Sequence, residues 1–200
     1  MNMYMGLQII MILLLLVTLV YVAYTAFARW QGDMHFIAVP AGTAPSRRRA
    51  KSILPAGAVR FTLEETTRQE LVMAGEIVLY NDGKQQGTVM DCLGRAYLPC
   101  EQYPDLNVRV RLTPSEAPRT DDYWEAVLVP AKTGLRTRVE VTITAANGHL
   151  TEAIAEFGKV DFDVIYQVLG RSDWYYDKTR LTLTGDDIRS EWLRKGVTLR

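Results

Sequence analysis

Carboxylate pairs are the first residues here that could do chemistry. They stand at Asp121-Asp122, at Asp161 and Asp163, and at Asp186-Asp187. Paired carboxylates can act as acid and base on a scissile bond or hold Ca²⁺. Each pair also has a plainer reading. Asp121-Asp122 follows Pro118-Arg119-Thr120 in a loop, Asp161 and Asp163 fall on the wet face of a strand, and Asp186-Asp187 suit a helix N-terminus. The two histidines, His35 and His149, are isolated, and the two cysteines, Cys92 and Cys100, do not form a CxxC. That is too sparse a set for zinc or for a nucleophile with its base. Leu93-Gly94-Arg95-Ala96 reads as a tight turn between Thr88–Cys92 and Tyr97–Cys100. It sets Cys92 opposite Tyr97 and Cys100 opposite Val89, too far apart to bridge, so two free, semi-buried thiols are expected. No glycine loop is spaced to cradle phosphate. The expectation is a protein with no catalytic residues, no metal and no cofactor. A hydrolase using Asp161 and Asp163 is the enzymatic rival.

Aromatics and arginines offer a different chemistry. Arg171-Ser172-Asp173-Trp174-Tyr175-Tyr176-Asp177-Lys178 holds three aromatics in a row. Neighbours in a strand point oppositely, so at least one must be exposed or cap a sheet edge. Trp, Tyr and Arg are enriched in binding hot spots, which makes Arg171, Trp174, Tyr175 and Tyr176 a candidate partner surface. Lys plus Arg and Asp plus Glu each number 23, for a net charge of zero. A nucleic-acid binder would carry a basic excess, so nucleic acid is not an expected partner.

The elements that position these residues begin with a membrane segment. No charged residue lies between Ile9 and Ala28. About twenty apolar residues in a helix span a hydrocarbon core of roughly 30 Å. Ile9, Leu13, Leu16, Val20, Phe27 and Trp30 are the expected anchor residues, with Tyr4, Phe27 and Trp30 placed as interfacial aromatics. Ala26-Phe27-Ala28 resembles a signal-peptide cleavage site, but Met1–Gln8 lacks a basic residue and the apolar run is long. A retained anchor, residues 1–30, is the reading. Thr18, Tyr21, Thr25 and Ala28 recur at spacings of three and four and form a possible helix-packing face.

Residues 31–55 contain Pro40, Pro45 and Pro55 and read as an extended tether. Within it Arg47, Arg48, Arg49 and Lys51 form a basic cluster suited to lipid headgroups, worth on the order of 1 kcal/mol each. With Arg29 they also place the C-terminal side in the cytoplasm and the short N-terminus outside. The rest, residues 56–200, alternates like strands: Val59/Phe61/Leu63, Glu76–Tyr80, Val108–Leu112, Trp124–Val129, Arg136–Thr144, Asp161–Leu169 and a short Arg180–Thr184. Asn81-Asp82-Gly83 and Asn147-Gly148 read as hairpin turns. Leu150, Ile154 and Phe157 fit a helix, while a strand paired back through Asn147-Gly148 competes. Thr184-Gly185-Asp186-Asp187 opens a short helix with Ile188, Trp192 and Leu193 as its apolar side. The fold class is mainly β: one N-terminal transmembrane helix, then a β-sandwich or small barrel with a short C-terminal helix.

Asn81-Asp82-Gly83 through Gly87, then Asp91-Cys92-Leu93-Gly94-Arg95-Ala96-Tyr97-Leu98, then Asn107–Leu112 resembles the transthyretin-like repeat of carboxypeptidase-regulatory-type domains. The resemblance covers residues 81–112. It implies a β-sandwich with a binding or structural role, and an extracytoplasmic domain, opposite to the charge reading.

The expected function is a non-catalytic single-pass subunit that docks in and stabilises a larger membrane protein complex. Its partners would be other membrane subunits and the lipid bilayer. The alternative is a membrane-tethered ligand-binding or sensor module.

Overall fold

A computed structural model describes residues 3–45, 53–119, 121, 123–170 and 174–196, and the backbone alone of residues 3 and 28–31. Leu, Ile, Met and Val fill the first segment without a proline, and it forms one helix, α1, Met3–Gln31. Its stretch Tyr4–Phe27 is long and apolar enough to cross a bilayer, and none of it is buried against the rest of the protein. Thr18 and Thr25 turn their hydroxyls back onto the Leu14 and Val22 carbonyls, at 2.8 and 3.0 Å.

The remainder is a two-sheet sandwich, entirely antiparallel within each sheet. One sheet runs β1 (Phe36–Pro40), β3 (Glu70–Asn81), β7 (Gly134–Ala145), β5 (Leu106–Pro114), with β2 (Thr62–Thr66) sharing the β1 side of β3. The other runs β6 (Val127–Val129), β4 (Gly87–Tyr97), β8 (Lys159–Leu169), β9 (Trp174–Thr184). Alternation decides which side chains fill the space between. Leu71, Met73, Ile77 and Leu79 of β3 and Val139, Val141 and Ile143 of β7 meet Phe162, Val164, Tyr166 and Val168 of β8. Two helices, α2 (Leu150–Ala155) and α3 (Gly185–Arg194), close the end farthest from α1, burying Leu150, Ile154, Ile188 and Trp192. The protein is thus mainly β, with one N-terminal apolar helix, a sandwich and a short C-terminal helix.

Several details depart from the sequence reading. Residues 31–55 are not a tether throughout: Phe36, Ile37, Ala38 and Val39 are buried and pair with β3 as its edge strand. Prolines did not exclude a strand, because Pro40 sits at the end of an edge strand. The basic cluster Arg47–Arg49 and Lys51 lies outside the described residues. Leu93-Gly94-Arg95-Ala96 is no turn. It lies inside β4, which absorbs one extra residue between Met90 and Leu93, with Asp91 at φ 48°. Gly94 is small because the opposite sheet presses on it: a Cβ there would sit 2.3 Å from Val110 Cγ1. Asn81-Asp82-Gly83 joins the two sheets as a corner, not a hairpin, so β3, β4 and β5 alternate between sheets. Asn147-Gly148 leads into α2, which resolves residues 150–155 as helix. The last strand is longer than read, starting at Trp174. Leu193, expected on the apolar side of α3, is exposed.

Candidate functional site

The sandwich has a helix-proximal end, where β3 finishes, β4 starts, β8 finishes and β9 starts. Only Gly32 and Asp33 separate Gln31 of α1 from Met34, which is already buried. The segment they begin is hydrogen-bonded into the 81–85 corner. Lys84 N–H donates to the Asp33 carbonyl (3.0 Å) and Asp82 N–H to the His35 carbonyl (2.6 Å). Asn81, fully buried, binds on both sides of its amide. Its Oδ1 accepts from Gly83 N–H and His35 N–H, and its Nδ2 donates to the carbonyls of Gln85 and Val129. Gly83 is glycine for a packing reason: a Cβ would lie 2.4 Å from the Asp33 oxygen and 2.5 Å from Met34 Cα. Met34 Sδ in turn lies against Gly87 and Gly170. From the other sheet, Tyr175 Oη accepts from Phe36 N–H at 3.3 Å. The chain leaving α1 is therefore clasped by both sheets.

The outer face of the four-stranded sheet changes character with distance from this clasp. Strand pairing orders it in rows: Leu128, Thr88, Leu169, Trp174; then Met90, Gln167, Tyr176; then Leu93, Ile165, Lys178; then Arg95, Asp163, Arg180; then Tyr97, Asp161, Thr182. In the first two rows Leu128, Leu169, Trp174 and Tyr176 are 56, 45, 63 and 56% exposed. Trp174 and Tyr176 stack edge to face with centroids 6.0 Å apart. A cluster of large exposed apolar side chains on one surface marks a contact site of some kind. The five-stranded sheet differs: its outer face is a lattice of ion pairs, Arg111–Glu140, Arg138–Glu64 and Arg138–Glu140.

Farther along the same face the carboxylates are locked. Asp163 is not on a wet surface, as its alternation suggests, but 1% exposed. Arg180 donates from Nε at 2.7 Å and from a terminal nitrogen at 3.2 Å, and Tyr97 Oη donates at 2.9 Å. The Arg180 guanidinium also stacks over Tyr97, 4.9 Å from its centroid. The Arg180 hydrogen bond, foremost, holds the Asp163 carboxyl below its ordinary pKa. Asp161 is lowered chiefly by the Thr182 hydroxyl, which donates at 2.6 Å. A general acid needs the opposite shift, so this pair is built as an ion cluster. Asp121 is bound by Arg119 at the surface, and Asp187 accepts from Thr184 to cap α3. Burial raises the Cys92 thiol far above its ordinary value, while Cys100 is exposed. His149 is exposed, with Glu152 at 3.8 Å. Among the described residues no three His, Cys, Asp or Glu side chains converge as metal ligands. A shallow groove of about 640 Å³ runs along Gln85–Thr88, Leu128, Leu169 and Gly170, beside the aromatic corner.

Of the residues singled out from sequence, Ile9, Leu13, Leu16, Val20 and Phe27 all project from α1 into open space, as do Thr18 and Tyr21, with Thr25 half-exposed on the same side. The side chains of Ala28 and Trp30, and the whole of Arg171, lie outside the described residues. Trp174 and Tyr176 share the exposed face. Tyr175 does not: alternation turns it inward, where its hydroxyl holds β1. The sequence reading missed Leu128 and Leu169 and the clasp residues Met34, Asn81 and Gly83. Val127-Leu128-Val129 and Val164–Leu169 are apolar on both alternating faces, which is a legible sign that an outer face is apolar too.

No family model matches the chain, and no curated protein matches it. Solved structures that align with it include a protein from Archaeoglobus fulgidus, 9% identical, covering 65% of this chain and 97% of that one with a TM-score of 0.36. The GAE domain of yeast GGA1 aligns at 5% identity, 62% and 97% coverage and a TM-score of 0.27. The GAE domain of GGA2p from Saccharomyces cerevisiae aligns at 15% identity, 62% and 96% coverage and a TM-score of 0.26. Alignments this loose assign no role to this chain.

Proposed function

We propose that this protein is a non-catalytic single-pass membrane subunit, which docks in a larger membrane protein complex and braces it with its β domain at the membrane surface. The observation that carries the proposal is the clasp: two residues separate the apolar helix from the buried core, and both sheets grip the segment Met34–Phe36 that comes next. A domain held this closely serves as a bracket at a set height, whereas a catalytic or sensing head on a flexible tether would sweep a wide volume. The helix carries no charge over Ile9–Ala28, so its contribution is packing. The face of Thr18, Tyr21, Thr25 and Ala28 is the docking side. The hydroxyls of Thr18 and Thr25 are already satisfied within the helix, so it docks by shape and small size more than by interhelical hydrogen bonds. Locked carboxylates and a buried thiol support a non-catalytic role. The flanking basic residues support a cytoplasmic domain by the positive-inside rule, and Arg47, Arg48, Arg49 and Lys51 suit anionic headgroups.

Affinity purification of the full chain from its native membrane in mild detergent, read by mass spectrometry, tests the proposal. A fixed set of co-purifying membrane proteins is expected. A monodisperse lone monomer overturns it.

A further inference from the structure

We infer that the aromatic corner of the four-stranded sheet, built by Leu128, Leu169, Trp174 and Tyr176, seats in the headgroup layer of the same bilayer that α1 crosses. The sheet thereby makes a second membrane contact in cis. The inference rests on the retained-anchor reading above, and goes beyond it by giving the domain a lipid-facing side.

Chain length sets the distance. Beyond Phe27, α1 continues for Ala28–Gln31, about 6 Å at about 1.5 Å per residue. Gly32, Asp33 and Met34 add at most about 10 Å. The headgroup layer is itself roughly 5–8 Å deep on each side. Met34 packs on Gly87 and Gly170, and the next residues of those strands, Thr88 and Leu169, belong to the first row of the outer face. The row Leu128–Thr88–Leu169–Trp174 is therefore the part of that face nearest the membrane, and it crosses four strands, about 15 Å.

Composition follows the same axis. The first two rows carry two exposed leucines, Trp174, Tyr176 and only uncharged polar neighbours, Thr88 and Gln167. The first charges met on moving away are Asp91, exposed at the bulge beside Met90, and Lys178 in the third row, whose ammonium lies 3.6 Å from the Asp163 carboxylate; that row still carries Leu93, 48% exposed. The Asp163–Arg180 cluster lies about 20 Å from Leu169 along the strand, clear of the headgroups. Trp and Tyr favour that layer, where the ring body leaves water while the N–H or O–H stays hydrated. A face that dips into the lipid surface at one end loses apolar character with distance from the anchor, as this one does toward the Asp163–Arg180 cluster.

The test uses full-length protein in phosphatidylcholine–phosphatidylglycerol vesicles whose lipids carry bromine near the glycerol end of the acyl chains. Bromine quenches tryptophan on contact. Trp124 and Trp192 are buried in the sandwich and supply an unquenched background. Trp30→Phe, at the end of the helix, reports insertion; Trp174→Phe, at an exposed position, reports the corner. Each is expected to remove a comparable share of the lipid-quenched emission. If Trp30→Phe removes it and Trp174→Phe does not, the helix is inserted but the corner faces water or protein, and the inference falls alone. If neither removes any, the anchor reading falls with it. As a second measurement, a photo-crosslinker replacing Tyr176 in native membranes should capture lipid, and capture of one fixed protein instead overturns the inference.

Discussion

Asp163 is the residue on which acid stability should turn. Its carboxylate is buried, takes hydrogen bonds from Arg180 and Tyr97, and has Lys178 Nζ at 3.6 Å. These partners lower its pKa in the folded state. A carboxyl whose folded pKa lies below its unfolded value, near 3.9, stabilises the fold above that pH and loses the contribution as pH falls through the folded value. Asp163→Asn should therefore destabilise the domain at pH 7, by about 2 kcal/mol for hydrogen bonds to a charged partner. The deficit should shrink as pH drops below about 4. Denaturant titrations of both proteins across that range check this, and parallel curves down to the most acid point would contradict it. The outcome also bears on chemistry, since a carboxylate serving as catalytic acid would titrate upward.

Among the elements, the corner after β3 and the start of α3 make the sharpest claims. Gly83 lets the chain leaving α1 cross within van der Waals contact of the corner. Gly83→Val places side-chain carbons inside the Asp33–Met34 backbone, where overpacking costs about 1–3 kcal/mol and the two clasp hydrogen bonds are strained. The expected result is a lower thermal midpoint and new protease cleavage between Gly32 and Phe36 in detergent-solubilised protein. An unchanged digestion pattern would mean that the clasp is not what holds the domain. At the other end, Thr184 and Asp187 form a reciprocal capping box at the start of α3. Thr184→Ala should cost about 1 kcal/mol, read as a shift in denaturant midpoint without a change in slope. The two substitutions lie at opposite ends of the sandwich, so their effects should add.

At the scale of the whole molecule, the two thiols report which side of the membrane holds the domain. Cys92 is buried and its thiol strongly resists ionisation, while Cys100 is exposed in the β4–β5 connection. A membrane-impermeant maleimide should therefore label one site, Cys100, on the folded protein, and Cys100→Ser should abolish that labelling. With the domain in the cytoplasm, sealed cells should leave Cys100 unlabelled and permeabilised cells should label it fully. Labelling in sealed cells would put the domain outside and favour the location implied by the transthyretin-like resemblance.

What could be read from sequence was whatever depends on local pattern. The long uncharged apolar run, the alternation of β7 and β8 and the Thr–Asp cap of α3 each arise from side chains within a few residues, and each appears where it was read. The sandwich was legible as a class for the same reason. What depended on contacts across the fold was not. Gly94 looks like a turn residue until Val110 of the opposite sheet is seen to need its space. Asn81-Asp82-Gly83 has hairpin chemistry, but the strands on either side pair with other partners, so it becomes a corner. Phe36–Pro40 looked like linker because an edge strand draws its burial from β3, more than thirty residues away. Asp163 alternates outward like any wet-face residue, and only the arrival of Arg180 and Tyr97 from neighbouring strands buries it. The candidate site divides the same way: sequence supplied Trp174 and Tyr176, and tertiary pairing set Leu128 and Leu169 beside them at the end of the sheet nearest the helix. Local sequence determines which way a side chain alternates; only the register of distant strands determines what it meets there.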